Sequence, residues 1–361
     1  MSKLPVVPAI NPVPQGVKRP FWSVMIPTYN CADYLVETLK CVLEQAPSPE
    51  QMQIEVIDDC STKDDPEAVV KEIGQGRVSF YRHPKNVGAS ANFTSCIQRS
   101  QGQWVHILHG DDLVRPGFYA QFRAAAEQDP SIGAGFCNYS LIDEHGIQQN
   151  CVPREKETPG IIDNWAERMF FHNHIMAPAI VVKRSVYEHL GGFHPELFHT
   201  ADWEMWTRIS VHYPVWYNPQ LLADYRLHSA SDTSKLMRTG ANIANHRKAM
   251  EIIQGYMPQP IVDRLLEKAN EFTARRALIT ARKMLDKGDK EAAQAQLREA
   301  FLCSRSFKIL HQAGWIMLDM GQRKEAITCG LQSILTQPLE AANWKLLAYA
   351  SLKTLSQPQT T

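Results

Sequence analysis

Short apolar runs alternate with amphipathic stretches over the first two thirds of the chain. Phe21–Ile26 is a compact apolar run of strand length. Ala32–Gln45 follows, with Tyr34, Leu35, Leu39, Val42 and Leu43 at helical spacing. Gln53–Ile57 predicts a second strand, Asp65–Ile73 a helix, Val78–Tyr81 a third strand, Ala89–Ser100 a helix and Trp104–Leu108 a fourth strand. This β-α-β-α order implies an α/β domain, a Rossmann-like and mostly parallel sheet with helices on its faces.

The pattern then becomes mixed. Two apolar stretches between Ile132 and Gln148 flank Asp143-Glu144-His145-Gly146, a turn that predicts a hairpin. Ile161–Phe171 reads as helix, Ala179–Val182 as strand, and Ser185–Leu190 as a helix stopped by Gly191-Gly192. Ala201–Ser210 is a predicted helix carrying Trp203, Trp206 and Ile209, and Leu221–Leu227 is the last predicted strand. From Ala241 onward strand signals stop. Gly288 and Gly321 recur there, each followed five residues later by an alanine, Ala293 and Ala326, and small residues recur at Ala281, Gly314 and Ala348. A step of 33–34 residues is that of tetratricopeptide helix pairs; a plain helical bundle with coincidental spacing is the alternative. The expected organisation is therefore an extended, proline-rich tail over 1–19, an α/β domain over 20–240 and an all-α repeat-like domain over 241–361. Stacked helix pairs of that kind usually bind proteins or mediate dimerisation, so a homodimer or a protein partner is expected through these helices.

Composition narrows the function classes. Lys+Arg and Asp+Glu both number 38, so no bulk charge asks for nucleic acid. The eight cysteines form no CxxC pair and read as thiols of a reducing compartment. No apolar run reaches the ~18 residues of a membrane helix. Pro5, Pro8, Pro12, Pro14 and Pro20 would interrupt the core of a signal peptide. A cytoplasmic protein, possible at most as a peripheral guest of a membrane, is the expectation.

Candidate chemistry gathers in six polar clusters. Ile26-Pro27-Thr28-Tyr29-Asn30 follows the first strand, Asp58-Asp59-Cys60-Ser61-Thr62 the second, and Asn86-Val87-Gly88 the third, with Asn92 shortly after. Gly110-Asp111-Asp112 follows the fourth. Asp202-Trp203-Glu204-Met205-Trp206-Thr207-Arg208 and Tyr225-Arg226-Leu227-His228 come later. Ligands of open α/β sheets bind at the carboxyl ends of strands, where the first four clusters are expected. Adjacent carboxylates such as Asp111 and Asp112 suit Mg²⁺ or Mn²⁺, hard cations that prefer oxygen. His106 and His109 lie beside no thiolate and do not read as a zinc site. The stretch Pro27-Thr28-Tyr29-Asn30 holds no glycine-rich phosphate loop, which disfavours a nucleotidyltransferase.

In order and spacing, the clusters between Pro20 and Ser234 resemble the inverting glycosyltransferases of family 2, which have the GT-A fold. The resemblance implies a nucleoside-diphosphate-sugar donor, here expected to be a UDP-sugar, with Mn²⁺ or Mg²⁺. It implies a hydroxyl acceptor on a glycan, a lipid-linked sugar or a protein. On the nucleotide-sugar side it places Pro27, Thr28, Tyr29, Asn30, Asp59, Asn86, Gly88, Asn92, Asp111 and Arg226, with Asp59 reading the base. The expected metal ligands are Asp111, Asp112 and His228, and Trp203 and Glu204 are expected at the acceptor. Asp202 is the expected general base, because inversion needs a proton acceptor opposite the leaving group. Where the family usually shows Glu-Asp, this chain has Ala201-Asp202, which leaves the sugar open. The alternative is a catalytically inactive scaffold that recruits partners through its helices.

Overall fold

A computed structural model describes residues 4–228 and 232–352. The ends of the expected tail and helical domain, 1–3 and 353–361, lie outside the described residues, as do 229–231. The chain divides into two compact units, Met1–Ser229 with Ala249–Pro258, and Ala230–Lys248 with Gln259–Thr361.

The first unit is α/β. Its strands are β1 (Trp22–Thr28), β2 (Met52–Asp58), β3 (Ser79–Arg82), β4 (Trp104–Ile107), β5 (Leu113–Val114), β6 (Ala134–Ile142), β7 (Gln148–Cys151), β8 (Gly160–Ile161), β9 (Ile180–Lys183) and β10 (Val215–Arg226). Its helices are α1 (Ala32–Leu43), α2 (Pro66–Gly74), α3 (Ala89–Arg99), α4 (Phe118–Gln128), α5 (Trp165–Met169), α6 (Arg184–Leu190) and α7 (Ala201–His212). The strands form one sheet in the order β3-β2-β1-β4-β9-β6-β10-β5, with β7 against β6 and β8 against β10. The half from β3 to β4 is wholly parallel. β9 runs antiparallel between β4 and β6, and β10 returns to parallel pairing with β6.

Local sequence explains these elements. Every residue of β1 is buried, as a central parallel strand covered on both faces requires. Helix α1 turns Leu35, Leu39 and Val42 into the core that lines one face of the sheet. Asp64 Oδ2 accepts the Ala32 N–H at its start, 2.8 Å away. Helix α2 starts with Pro66 at its first position and Asp65 as its cap, whose side chain accepts the Ala68 N–H.

Two expectations change in extent. The last strand begins at Val215, not Leu221, because Pro214 and the Asn218-Pro219 pair mask its first half, which carries a register shift between Asn218 and Leu221. The helix expected over 161–171 shortens to α5, preceded by β8. The proline-rich tail is extended but packed. Ile10 is buried, the Gly192 N–H donates to Pro8 O at 2.8 Å, and the Arg184 guanidinium donates to Asn11 O at 3.2 Å.

The second unit is helical among its described residues: α8 (Asp232–Thr239), α9 (Ala241–Gln254), α10 (Gln259–Asp286), α11 (Lys290–Cys303), α12 (Phe307–Asp319), α13 (Arg323–Thr336) and α14 (Ala341–Leu352), with the end of α9 assigned to the first unit. Two of its hairpins close with the same turn. At α10–α11, Gly288 has φ +81° and donates to Leu285 O, while the Asp289 N–H reaches Met284 O. Thirty-three residues on, Gly321 has φ +86° and donates to Leu318 O, while the Gln322 N–H reaches Met317 O. Such left-handed positions after a helix favour glycine. Ala281 is fully buried, and a Cβ on Gly314 would lie 2.6 Å from Leu346 Cδ2. Ala348, expected as the third close-packing point, is exposed; Leu346 and Ala350 point inward instead.

Candidate active site

Strand register sets the frame of the site. Thr28 pairs with Asp58, and Asp58 with Arg82, so β1, β2 and β3 end level. The loops that follow therefore meet at one sheet edge. Asp58 accepts from Ser61 and from Arg82 Nε and fixes the turn after β2. Asn30 has φ +52°, and its Oδ1 accepts the Thr62 and Lys63 N–H groups at 2.9 and 3.0 Å. Pro27 and Thr28 are buried; their carbonyls accept the Gly110 and Asp59 N–H groups. Pro27, Thr28 and the Asn30 Oδ1 thus tie the loops of this edge together. Tyr29, 47% exposed, is the member of this cluster that faces out.

Asp59 organises the next loop. Its Oδ1 accepts the Val87 N–H at 2.7 Å, and its Oδ2 the Gly88 N–H at 2.9 Å. Burial raises its proton affinity against those two bonds. Asn86 Nδ2 donates to Asp59 O at 3.2 Å. Gly88, at φ +86°, opens α3. Asn92 is buried and donates to Ile57 O at 3.1 Å, which makes it a brace for β2 and corrects its placing at the donor.

A group of possible metal ligands follows β4. One ligand atom each from His109, Asp111 and Asp112 lie within 4.8 Å of one another. Asp112 is fully buried; Oδ1 accepts the Arg226 N–H at 2.9 Å, while Oδ2 has no hydrogen-bond partner among the described residues. Burial and the adjacent Asp111 charge push its carboxyl well above the usual range. Burial also opposes ionisation of Asp111, but the hydrogen bond with His228 and the nearby His109 outweigh it and hold this carboxyl low. Burial lowers the proton affinity of His109, leaving a neutral imidazole stacked on Phe93. A buried, unpartnered carboxylate oxygen beside a second carboxylate and a neutral imidazole fits a hard divalent cation. His109 is the member sequence reasoning missed; the contiguous His109-Gly110-Asp111-Asp112 run at a strand end was its signal. His228 Nε2 sits 3.0 Å from Asp111 Oδ2, beside the group.

Asp202 stands in the first turn of α7, partly open to solvent. Its Oδ1 accepts the Trp203 N–H at 2.7 Å, and its Oδ2 accepts Asn173 Nδ2 at 2.8 Å. Burial raises its pKa to about 6 in spite of these donors. Burial, and then the charges of Asp112, Asp111 and Asp202, raise the proton affinity of the Tyr225 hydroxyl on β10.

Residues 23–191 match the family model described as Glycosyl transferase family 2. The chain carries a glycosyl transferase family 2 domain. It is 24% identical over 222 residues to an uncharacterized glycosyltransferase, RP339, of Rickettsia prowazekii (strain Madrid E), spanning 61% of this chain and 68% of that one. Among solved structures, it is similar to S. aureus TarS 1-349 in complex with UDP-GlcNAc, with a TM-score of 0.62, 15% identity and coverage of 88% of this chain and 92% of that one. It is also similar to the mannosyltransferase PcManGT of Pyrobaculum calidifontis in complex with GDP-Man and Mn²⁺, with a TM-score of 0.53, 19% identity and coverage of 96% and 90%. These likenesses give the fold, GT-A with helices after it.

Three expected site residues, beyond the matched stretch, stand elsewhere. Glu204 and Arg208 have no exposed side-chain surface and pair at 3.0 Å, so the Glu204 carboxylate cannot meet an acceptor. Trp203 is buried and donates from Nε1 to Met169 O at 2.6 Å, so it packs α7 onto α5 and forms no acceptor wall. The Arg226 guanidinium is buried against Tyr34 and donates to Asp111 O, Asp143 O, Glu144 O and Glu37 Oε2. It is committed to holding the Asp111–Asp112 loop, which takes it off the diphosphate. No helix among the described residues is long and apolar enough to cross a membrane.

Proposed function

We propose that this family 2 domain transfers a sugar, with inversion and in a metal-dependent way, from a UDP-sugar to a hydroxyl on a glycan, a lipid-linked sugar or a protein. The observation that carries the reading is the His109-Asp111-Asp112 group at the strand edge, where the buried Asp112 Oδ2 has no hydrogen-bond partner among the described residues. Asp202 then accepts the proton of the acceptor hydroxyl as the new bond forms. A group with pKa near 6 is matched to that task at neutral pH. His109, Asp111 and Asp112 would hold Mn²⁺ or Mg²⁺, which when bound neutralises charge on the departing diphosphate. Asp59 and the 86–88 turn that it pins frame the base side, with Tyr29 exposed beside them as a stacking surface. The helical unit is read as tetratricopeptide-like on the strength of its repeated turn, and as the part that contacts a protein partner or a second copy.

Thermal unfolding with a panel of nucleotide sugars, with and without Mn²⁺, tests this reading. One UDP-sugar at about a hundred times its Kd should stabilise the wild type by about 2.7 kcal/mol, with metal only. Asp112→Asn should lose that stabilisation while remaining folded. A wild type that no nucleotide sugar stabilises under either condition overturns the reading in favour of a scaffold.

A further inference from the structure

Asp202 owes its setting to a residue outside all six sequence clusters. Asn173 lies between α5 and a single 3₁₀ turn, Ala177–Ala179, 29 residues before Asp202. Its side-chain amide is oriented from both ends. Oδ1 accepts the Ile175 N–H at 3.1 Å, so Nδ2, 2.8 Å from Asp202 Oδ2, must be the donor there. The Asn173 backbone is held in turn, its carbonyl 2.9 Å from His172 Nδ1. On the other side of the carboxylate the Trp203 N–H donates to Oδ1. Each oxygen therefore has one fixed donor and keeps its remaining lone pairs for an incoming hydroxyl.

We propose that Asn173 is the positioning residue of the general base: it aims the Asp202 carboxylate and keeps it in the proton-accepting form. This rests on Asp202 being the base. An amide N–H bonds the anion and has no acceptor to offer a carboxylic acid, so the contact favours ionisation. The opposing influence is burial. The titratable groups facing Asp202 from the packed strands are the Tyr139 hydroxyl on β6 and the Tyr225 hydroxyl on β10, both raised in proton affinity and neutral at pH 7. Neither supplies a positive charge; among the described residues the side-chain and neighbouring backbone donors to the anion are the Asn173 amide and the Trp203 N–H.

Direct titration of Asp202 in the full chain tests the proposal without knowledge of the acceptor. The carboxyl ¹³C signal of Asp202 is followed against pH and assigned by its loss in Asp202→Asn. Removing one hydrogen bond to a charged group in Asn173→Ala should raise the midpoint by about one pH unit. Asn173→Asp, equal in size, sets a like charge against Asp202 and should move the upper midpoint of the pair further still. It also guards against a truncated variant that fails to fold. A midpoint unchanged in a folded Asn173 variant overturns the proposal and leaves Asn173 as packing. The underlying reading fails separately: Asp202→Asn would then release UDP from UDP-N-acetylglucosamine with Mn²⁺ as fast as wild type, whatever the titration shows.

Discussion

At the scale of single residues, Asp202 combines a cost with a use. Its folded pKa, about 6, lies above the roughly 3.9 of an unfolded aspartate. Between those values the folded state holds the extra proton, so stability falls as pH rises through that window and is level above it. Asp202→Asn cannot ionise and escapes this loss. Urea unfolding should therefore show the variant gaining on wild type between pH 4.5 and pH 7.5, while kcat drops by a factor of about 10²–10⁴. In the wild type, kcat/KM should fall below about pH 6, where the base becomes protonated. Glu204 is the opposite case. It shares the first turn of α7 but faces Arg208 in a fully buried pair. Glu204→Ala strands the guanidinium and should cost about 3–5 kcal/mol in denaturant unfolding. At temperatures where the variant is folded, its acceptor KM should match wild type.

Elements place these residues, and one close approach shows how tightly. Gly102 precedes β4 where the chain passes the start of β1; a Cβ there would lie 2.6 Å from the Ser23 backbone N and from Trp22 C. Backbone of a central strand cannot step aside. Gly102→Ala should destabilise the fold by about 1–3 kcal/mol or more, read as a lower urea midpoint with the m-value unchanged. Much of this scale was legible in the sequence. The alternating apolar runs over β1 to β4 gave both the parallel strands and the edge at which Asp59, Asp111 and Asp112 stand, since period and strand ends are local properties. What failed to show is non-local. Nothing in Trp203-Glu204 reveals which helix face packs inward, and Asn173 reaches Asp202 only through the folded path of the α5 loop. Arg226 looked like a phosphate ligand because its partners, Glu37 and the carbonyls of Asp111, Asp143 and Glu144, are scattered along the chain.

At the scale of the whole molecule, each unit has its own core. Val24, Ile54 and Val56 of the sheet anchor one, and Ala277, Leu297 and Ala313 of the helices the other. Scanning calorimetry should resolve two transitions, of which UDP with Mn²⁺ raises one and leaves the other in place; a single transition shifted as a whole would show that the units melt together. The packed tail has a bearing on how the first unit is born. Asn11 and its partner Arg184 are 173 residues apart. At ribosomal speeds of about 5–20 residues per second, the tail waits roughly 10–35 s for that partner to be made. Its prolines withhold backbone donors and resist sheet pairing, which should keep the waiting segment from being captured by the strands that emerge before Arg184, Gly191 and Gly192 arrive to receive it.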